Sequence, residues 1–106
     1  MKATILHIKN LVQKRKYRIT LHAEQERDTD QITKEEIEEA LLSDKLEIIE
    51  DYPNDPRGHS YLLLGFTNND KPIHFVCGLG TVEMLIVITL YIPDENLWVD
   101  YKKRRL

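Results

Sequence analysis

The sequence predicts an α+β domain in which N-terminal helices pack on one face of a four-stranded, mainly antiparallel sheet. Apolar residues recur at helical spacing in the first half of the chain, and a helix-capping sequence lies among them. The second half alternates short β-branched runs with turn sequences, and the intervals are too short for crossover helices. A length of 106 residues matches one domain, so we treat 1–106 as a single domain.

The first helix is predicted over Ala3 to Lys14, where Ile8 and Val12 belong to an apolar stripe at helical spacing. Such a stripe is typical of an amphipathic helix that packs on a core. The next residues, Tyr17 to Leu21, are interpreted either as a short strand or as an extended link. A short polar helix is predicted to follow from His22.

The third helix is predicted over Thr33 to Ser43. Thr33 and Glu36 have the spacing of a capping box, in which each side chain satisfies a backbone N–H of the first turn. Ile32 precedes the cap and can pack on Ile37 one turn inside the helix. This helix has a sufficient structural explanation, so we assign no function to it.

Two strands are predicted next, over Leu46 to Asp51 and over Ser60 to Phe66. The segment between them, Tyr52 to Gly58, contains two prolines and a glycine and predicts a turn. A further turn over Asn68 to Lys71 leads into the last two strands. Consecutive strands joined by such short turns favour antiparallel pairing.

The last two strands form a hairpin over Pro72 to Trp98, and its second strand, Met84 to Ile92, is predicted to be the central strand of the sheet. This run is rich in β-branched residues and ends before Pro93, which cannot donate to a further ladder bond. One face turns polar at Thr89 and Tyr91, so a cavity or an active site is expected at this end of the strand. Strict alternation places Met84, Ile86, Ile88, Leu90 and Ile92 on one face and Leu85, Val87, Thr89 and Tyr91 on the other.

The composition, with 42% hydrophobic and 31% charged residues, is that of a folded soluble protein and unlike that of a disordered one. Met1 to Leu11 lacks the uninterrupted apolar core of a secretory leader, and no run is long enough to span a membrane.

Cys77 is the only cysteine, which excludes an intrachain disulfide and favours a core-filling role. We therefore expect a cytoplasmic protein with no membrane partner.

The charges divide the chain into an acidic middle and basic ends. The net charge of −3 gives no global attraction to nucleic acid. Thirteen of the 18 acidic residues lie between Glu24 and Asp55, whereas eight of the 15 basic residues lie in Lys14 to Arg18 and Lys102 to Arg105. Two interpretations stay open. The basic ends either meet and form a phosphate-binding patch or are separate solvated segments.

The four histidines and the cysteine lie at none of the spacings that mark a metal site, because CxxC, HxxxH and HExxH are absent from the sequence. We therefore expect no metal and no cofactor. Gly78-Leu79-Gly80 lies between two strands rather than before a helix, so it predicts a hairpin turn and not a phosphate-binding loop. A Ser-His-Asp or Cys-His site stays open, although no elbow motif marks a nucleophile.

A metal-free acid/base site is the remaining possibility, with His22, His74, Tyr91 and Glu26 as candidate catalytic residues. RNA cleavage suits this set, because the attacking 2′-hydroxyl loses a proton and the departing 5′-oxygen gains one. The alternative is that a histidine in a strand is a hydrogen-bonded structural residue. Cations would stabilise the negative charge that develops on the phosphate oxygens. The candidate phosphate-binding residues are Arg18, Arg27, Lys103, Arg104 and Arg105.

Several short motifs lie along this chain. They are His22-Ala23, Asp30-x-Ile32-Thr33, Tyr52-Pro53 with Asp55, Gly65-Phe66-Thr67, Pro72-Ile73-His74, and Thr89-x-Tyr91-x-Pro93-Asp94 with Trp98. In combination they resemble a small bacterial family that is named only as a domain of unknown function and is grouped with the RelE and BrnT toxins. The resemblance runs from about Tyr17 to Arg105. Many members carry an arginine four positions after the histidine of the first motif, where this chain has Glu26.

The resemblance implies a RelE-like α+β fold and the function of a type II toxin. Such a toxin would be a metal-independent mRNA endoribonuclease that meets RNA or the ribosome. Its partner would be a small antitoxin with a CxxC-type zinc finger of the YgiT/MqsA kind. The alternative is a non-catalytic RelE-like binding module or degenerate toxin, which the acidic middle and the absence of a strongly basic cleft favour.

Overall fold

The computed structural model describes residues 2–79 and 83–106 of the chain. In this part of the chain three helices precede most of the strands, as expected for an α+β fold. The elements are α1 (Lys2–Gln13), β1 (Tyr17–Ile19), α2 (Leu21–Thr29), α3 (Lys34–Leu41), β2 (Glu47–Tyr52), β3 (Ser60–Phe66), β4 (Pro72–Leu79), β5 (Leu85–Tyr91), β6 (Trp98–Val99) and β7 (Lys103–Arg104).

The main sheet has five strands in the order β1-β5-β4-β3-β2, so the prediction of four strands was wrong. The additional strand is β1, whose three residues pair in parallel with β5, while the other pairs are antiparallel. Three residues are too few to show an alternating pattern. The middle strand of the sheet is β4. The segment Met84 to Ile92, which was predicted to be the central strand, contains β5, and β5 lies second from one edge, between β1 and β4.

The three helices contribute to one core against one face of the sheet. Ile8 of α1 and Ile37 of α3 are fully buried and share this core with Phe75 of β4. The predicted capping box of α3 is confirmed, because Thr33 Oγ1 accepts from the Glu36 N–H at 3.0 Å and the Thr33 N–H donates to Glu36 Oε1 at 3.0 Å. The capped helix therefore begins at Lys34 with its apolar stripe on the sheet.

A bulge in β5 changes which side chains face this core. Val76 pairs with Thr89 and Cys77 with Val87, which leaves Ile88 as the extra residue. Val87 and Leu90 consequently both lie in the helix-side core, although strict alternation puts them on opposite faces. The alternation predicted for Met84 to Ile92 was therefore wrong beyond Val87, because the pairing irregularity depends on β4 and leaves no mark in the sequence of β5.

Part of the other face of the sheet is covered by the β6-β7 hairpin near the C-terminus of the chain. This hairpin was not predicted from the sequence. Trp98 of β6 is only 4% exposed and packs against His74 with 4.5 Å between ring centroids. Lys102 Nζ lies 2.9 Å from Glu47 Oε1, and Arg104 pairs with Glu50. The basic C-terminal segment therefore lies on acidic β2, whereas Arg18 lies on β1 at the opposite edge. The two basic ends do not form one patch.

The predicted glycine turn falls partly inside a strand. Gly78 and Leu79 belong to β4, while Gly80 lies outside the described residues. Among the helices in residues 2–79 and 83–106, none has both the length and the apolar character that crossing a membrane requires.

Candidate functional site

His22 and Glu26 lie on one face of α2, one helical turn apart. The helix begins after Thr20, whose side chain accepts a hydrogen bond from the Ala23 N–H at 3.1 Å. This start places His22 in the first turn, with a side chain that is 68% exposed. Its Nε2 atom lies 3.3 Å from Glu26 Oε1, so the two side chains form an accessible histidine–carboxylate pair.

The edge of β5 holds Glu26 in place. Since β1 ends at Ile19, the later part of β5 has no described strand on the side away from β4, and α2 lies on that side instead. Glu26 Oε1 accepts from the Leu90 N–H at 3.2 Å and also from the Thr89 hydroxyl. A carboxylate that is fixed by backbone and hydroxyl donors can orient the histidine beside it.

Tyr91 lies with this pair in a shallow cleft of about 310 Å³, which we call the α2 cleft. Burial is the main cause that raises the pKa of the Tyr91 phenol, so this group stays protonated at neutral pH. An imidazole, a carboxylate and a protonated phenol can together move protons at a bound substrate. The side chains that line the α2 cleft are His22, Gln25, Glu26, Thr29, Asp30 and Tyr91.

His74 lies behind Tyr91 and is fully buried. Its Nε2 lies 2.6 Å from the carbonyl oxygen of Tyr101, and since a carbonyl can only accept, Nε2 is the donor. Its Nδ1 lies 3.2 Å from the Tyr91 hydroxyl. Burial lowers the pKa of His74, so the ring is neutral and its Nδ1 accepts a hydrogen bond from the Tyr91 hydroxyl. His74 therefore acts on the α2 cleft through Tyr91 and does not line it.

Two of the predicted phosphate-binding residues near the C-terminus, Arg104 and Arg105, have protein partners. Arg104 donates through Nε and Nη2 to the two carboxylate oxygens of Glu50 at 2.9 and 3.0 Å, and its guanidinium lies 4.7 Å from the Trp98 ring centroid. These contacts hold the pKa of Arg104 above and that of Glu50 below its ordinary value. Arg105 Nε donates to the Glu95 carbonyl at 2.8 Å. Both arginines thus contribute to the fold of the hairpin.

The remaining cations are dispersed. Arg27 pairs with Glu24 and donates to the Ile32 carbonyl at 3.1 Å, so it faces the start of α3. Lys103 is exposed on β7, and Arg18 lines a different groove at the far end of β5. None of the five predicted cations lines the α2 cleft, whose charged side chains include Glu26 and Asp30. The sequence could not show this, because the pairing partners are distant in the chain.

Tyr101 was not among the predicted site residues. Its carbonyl fixes His74, and it has a left-handed φ of 64°. Asp30 was also missed as a cleft residue, although it lies in the Asp30-x-Ile32-Thr33 motif. Its Oδ2 accepts from the Ile92 N–H at 3.1 Å, which adds a second carboxylate contact along the free edge of β5.

Comparisons with known proteins identify a family but no function. The family described as a domain of unknown function, DUF4258, matches residues 19–92, a stretch that includes His22, Glu26, His74 and Tyr91 and ends before the β6-β7 hairpin. Searches of curated proteins and of solved structures find no match. The matched stretch covers more than half of the chain, and the protein therefore belongs to the DUF4258 family.

Proposed function

We propose that this protein is a metal-independent endoribonuclease that cleaves mRNA as the toxin of a type II toxin–antitoxin pair. The observation that supports the proposal is the His22–Glu26 pair beside Tyr91 in one open cleft. The proposal also rests on the resemblance of the sequence motifs to a bacterial family that is grouped with the RelE and BrnT toxins. It requires a cytoplasmic protein, because its substrate is there.

In the proposed reaction His22 is the general base. Its Nε2 faces Glu26, which leaves Nδ1 free to take the proton of the substrate 2′-hydroxyl. The 2′-oxygen then bonds to phosphorus, and the bond from phosphorus to the 5′-oxygen breaks. Glu26 keeps the imidazole oriented and stabilises the imidazolium that forms, in the manner of a buried carboxylate behind a catalytic histidine.

Tyr91 is the proposed general acid. Its hydroxyl is held by His74 Nδ1 in the free protein and turns to the 5′-oxygen when substrate is bound. The raised pKa keeps this group protonated over the pH range in which the enzyme would work. His74 is then a positioning residue, since it contacts the acid and lies outside the α2 cleft.

The proposed protein partner is a small zinc-finger antitoxin, as the resemblance implies. An antitoxin that covers the α2 cleft would block access of RNA to His22, whose side chain is the most exposed of the acid/base group. Binding of this kind would leave the buried His74 untouched.

Growth and RNA cleavage test the proposed function. Wild type and His22→Gln are expressed from a tightly controlled promoter at matched soluble levels, with His7→Gln in α1 as the control. We expect growth arrest and RNA cuts with wild type and His7→Gln, and cleavage about 100-fold or more slower with His22→Gln, because general-base catalysis is lost. Full toxicity of His22→Gln would remove His22 from the mechanism.

A second candidate function is a non-catalytic binding module with the same fold. The observation that favours it is the charge of the α2 cleft, where Glu26 and Asp30 repel phosphate, together with the pairing of Arg104 to Glu50. This candidate predicts a stable complex with an antitoxin-like protein and no RNA turnover by the purified chain. His22-dependent cuts in purified RNA would contradict it.

A further inference from the structure

A second groove, which we call the Arg18 groove, lies on the face of the sheet opposite the helices, at the far end of β5 from the α2 cleft. It has a volume of about 290 Å³. Arg18 of β1 forms one wall, and Arg57 and His59, which precede β3, form the other. Two guanidinium groups therefore face one concave surface.

The groove has an apolar floor. Ile86 and Ile88 of β5 line it, and Gly78 of β4 contributes no side chain. A Cβ atom at Gly78 would lie 3.6 Å from Ile88 Cδ1, in ordinary contact, so the glycine leaves room for about one methyl group above the floor. An apolar floor between two cations suits a planar ring that carries an anionic group.

The charge of this groove differs from that of the neighbouring surfaces. Among residues 2–79 and 83–106, no carboxylate lines this groove, whereas each of four other clefts contains at least one aspartate or glutamate. The carboxylate that pairs with Arg57 is Asp55, which is only 7% exposed and accepts bonds from Arg57 Nε and Nη2 at 3.0 and 2.9 Å. Asp55 thus orients the Arg57 guanidinium from behind, while that guanidinium stays accessible.

The Arg18 groove and the α2 cleft lie at opposite ends of β5, and these ends are only a few residues apart. Thr20 lines the groove and is also the N-cap of the helix that carries His22, and its hydroxyl donates to the Ile88 carbonyl at 2.9 Å. Ile88 and Tyr91 are three residues apart, which corresponds to about 10 Å in a strand. One flexible strand of nucleic acid can therefore reach both surfaces.

We propose that the Arg18 groove binds a nucleotide of single-stranded RNA next to the bond that is cleaved in the α2 cleft, an inference that rests on the proposed function. Arg18 and Arg57 contact its phosphate, and its base lies on Ile86 and Ile88. The base must be unpaired, because a base in a duplex cannot present its face to this floor. The groove thus supplies the cations that the α2 cleft lacks.

The experiment measures binding of a fluorescein-labelled 2′-O-methyl oligouridine by fluorescence anisotropy. The blocked 2′-oxygen cannot attack phosphorus, so binding is measured without cleavage. Arg18→Gln is compared with Lys14→Gln, which removes one exposed positive charge outside the groove. We expect about tenfold weaker binding for Arg18→Gln, since one charge-assisted contact is lost, and a slope of log K against log salt that is smaller by about 0.7. Lys14→Gln should bind like wild type.

Gly78→Ala is a second variant, because it adds a methyl group to the floor in ordinary contact with Ile88 and removes no charge. We expect weaker binding with an unchanged salt slope. Equal affinity of Arg18→Gln and Lys14→Gln, or no binding by wild type, would overturn the inference.

Cleavage of unmodified RNA separates this inference from the proposed function. Arg18-dependent binding without any cleavage would support the groove and contradict the endoribonuclease. His22-dependent cleavage by wild type, with both binding and KM unchanged in Arg18→Gln, would support the endoribonuclease and overturn the groove.

Discussion

At the scale of single residues, His74 combines packing contacts with a hydrogen bond to Tyr91, the proposed general acid. Its ring is fully buried between Tyr91 and Trp98, with centroid distances of 5.2 and 4.5 Å. The Tyr101 carbonyl accepts from Nε2, which fixes the neutral tautomer and directs Nδ1 to the Tyr91 hydroxyl. The same burial that makes His74 a rigid support for Tyr91 makes its protonation unfavourable.

This burial predicts a pH dependence of stability. Folding lowers the pKa of His74 below 6.5, so the unfolded chain binds a proton more readily in the window between the lowered pKa and 6.5. The contribution of neutral His74 to the free energy of unfolding should therefore be complete above this window. It should decrease as the pH falls through the window. Urea unfolding of wild type at several values between about pH 7 and pH 5 measures this slope.

The variant His74→Gln identifies the group responsible. It should lower the free energy of unfolding by about 1–3 kcal/mol at neutral pH, because ring packing is lost, and it should flatten the pH dependence. His7→Gln is the matched control and should keep the slope of wild type. A slope that survives in His74→Gln would assign the effect to another group.

At the scale of elements, Gly65 sets how closely α3 approaches the sheet. A Cβ atom at Gly65 of β3 would lie 2.2 Å from the Ala40 carbonyl oxygen of α3, which is backbone and cannot move independently of the helix. Glycine is needed here for close approach, and its φ is not in the left-handed region. The Gly65-Phe66-Thr67 motif therefore has a packing explanation that does not depend on catalysis.

The prediction at this scale compares two glycines of neighbouring strands. Gly65→Ala should lower the free energy of unfolding by about 1–3 kcal/mol or more, because the helix must move away from the sheet. Gly78→Ala should be neutral or slightly stabilising, because its Cβ meets no atom closer than 3.6 Å and alanine loses less chain entropy on folding. Thermal or urea unfolding of both variants measures the difference. Equal stabilities would contradict the close approach of α3.

At the scale of the whole molecule, the sheet carries helices on one face and the short β6-β7 hairpin on part of the other. The hairpin is attached by Trp98, which packs on His74 of the middle strand, and by the Arg104–Glu50 pair on β2. Because the Arg104 side chain is 62% exposed, the pair adds orientation more than stability. Burial of Trp98 is the larger contribution.

This attachment predicts that the hairpin unfolds together with the sheet. Trp98 is the only tryptophan, so its fluorescence reports on the hairpin, while far-UV circular dichroism reports on helices and sheet. We expect the two signals to give one coincident urea transition, because Trp98 is buried against His74 of β4. An earlier fluorescence transition would show that the hairpin opens independently of the sheet.

The sequence alone determined several elements of the fold, because helix caps and turns depend on residues that are close together in the chain. The capping residues Thr33 and Glu36 lie three positions apart and fixed the start of α3. The turn residues between the strands likewise indicated β3 over Ser60 to Phe66, with the bounds that the structure has. Helix and turn chemistry needs only neighbours in the chain, so these elements could be predicted.

Only the tertiary structure decided which residues meet. The pairing of β1 with β5, the extra residue Ile88 and the contact of Trp98 with His74 all join positions that are distant in the chain or depend on a partner strand. The sequence indicated His22, Glu26, His74 and Tyr91 by their chemistry. It could not show that three of them line one cleft while His74 lies behind Tyr91, because register and burial are properties of the assembled sheet.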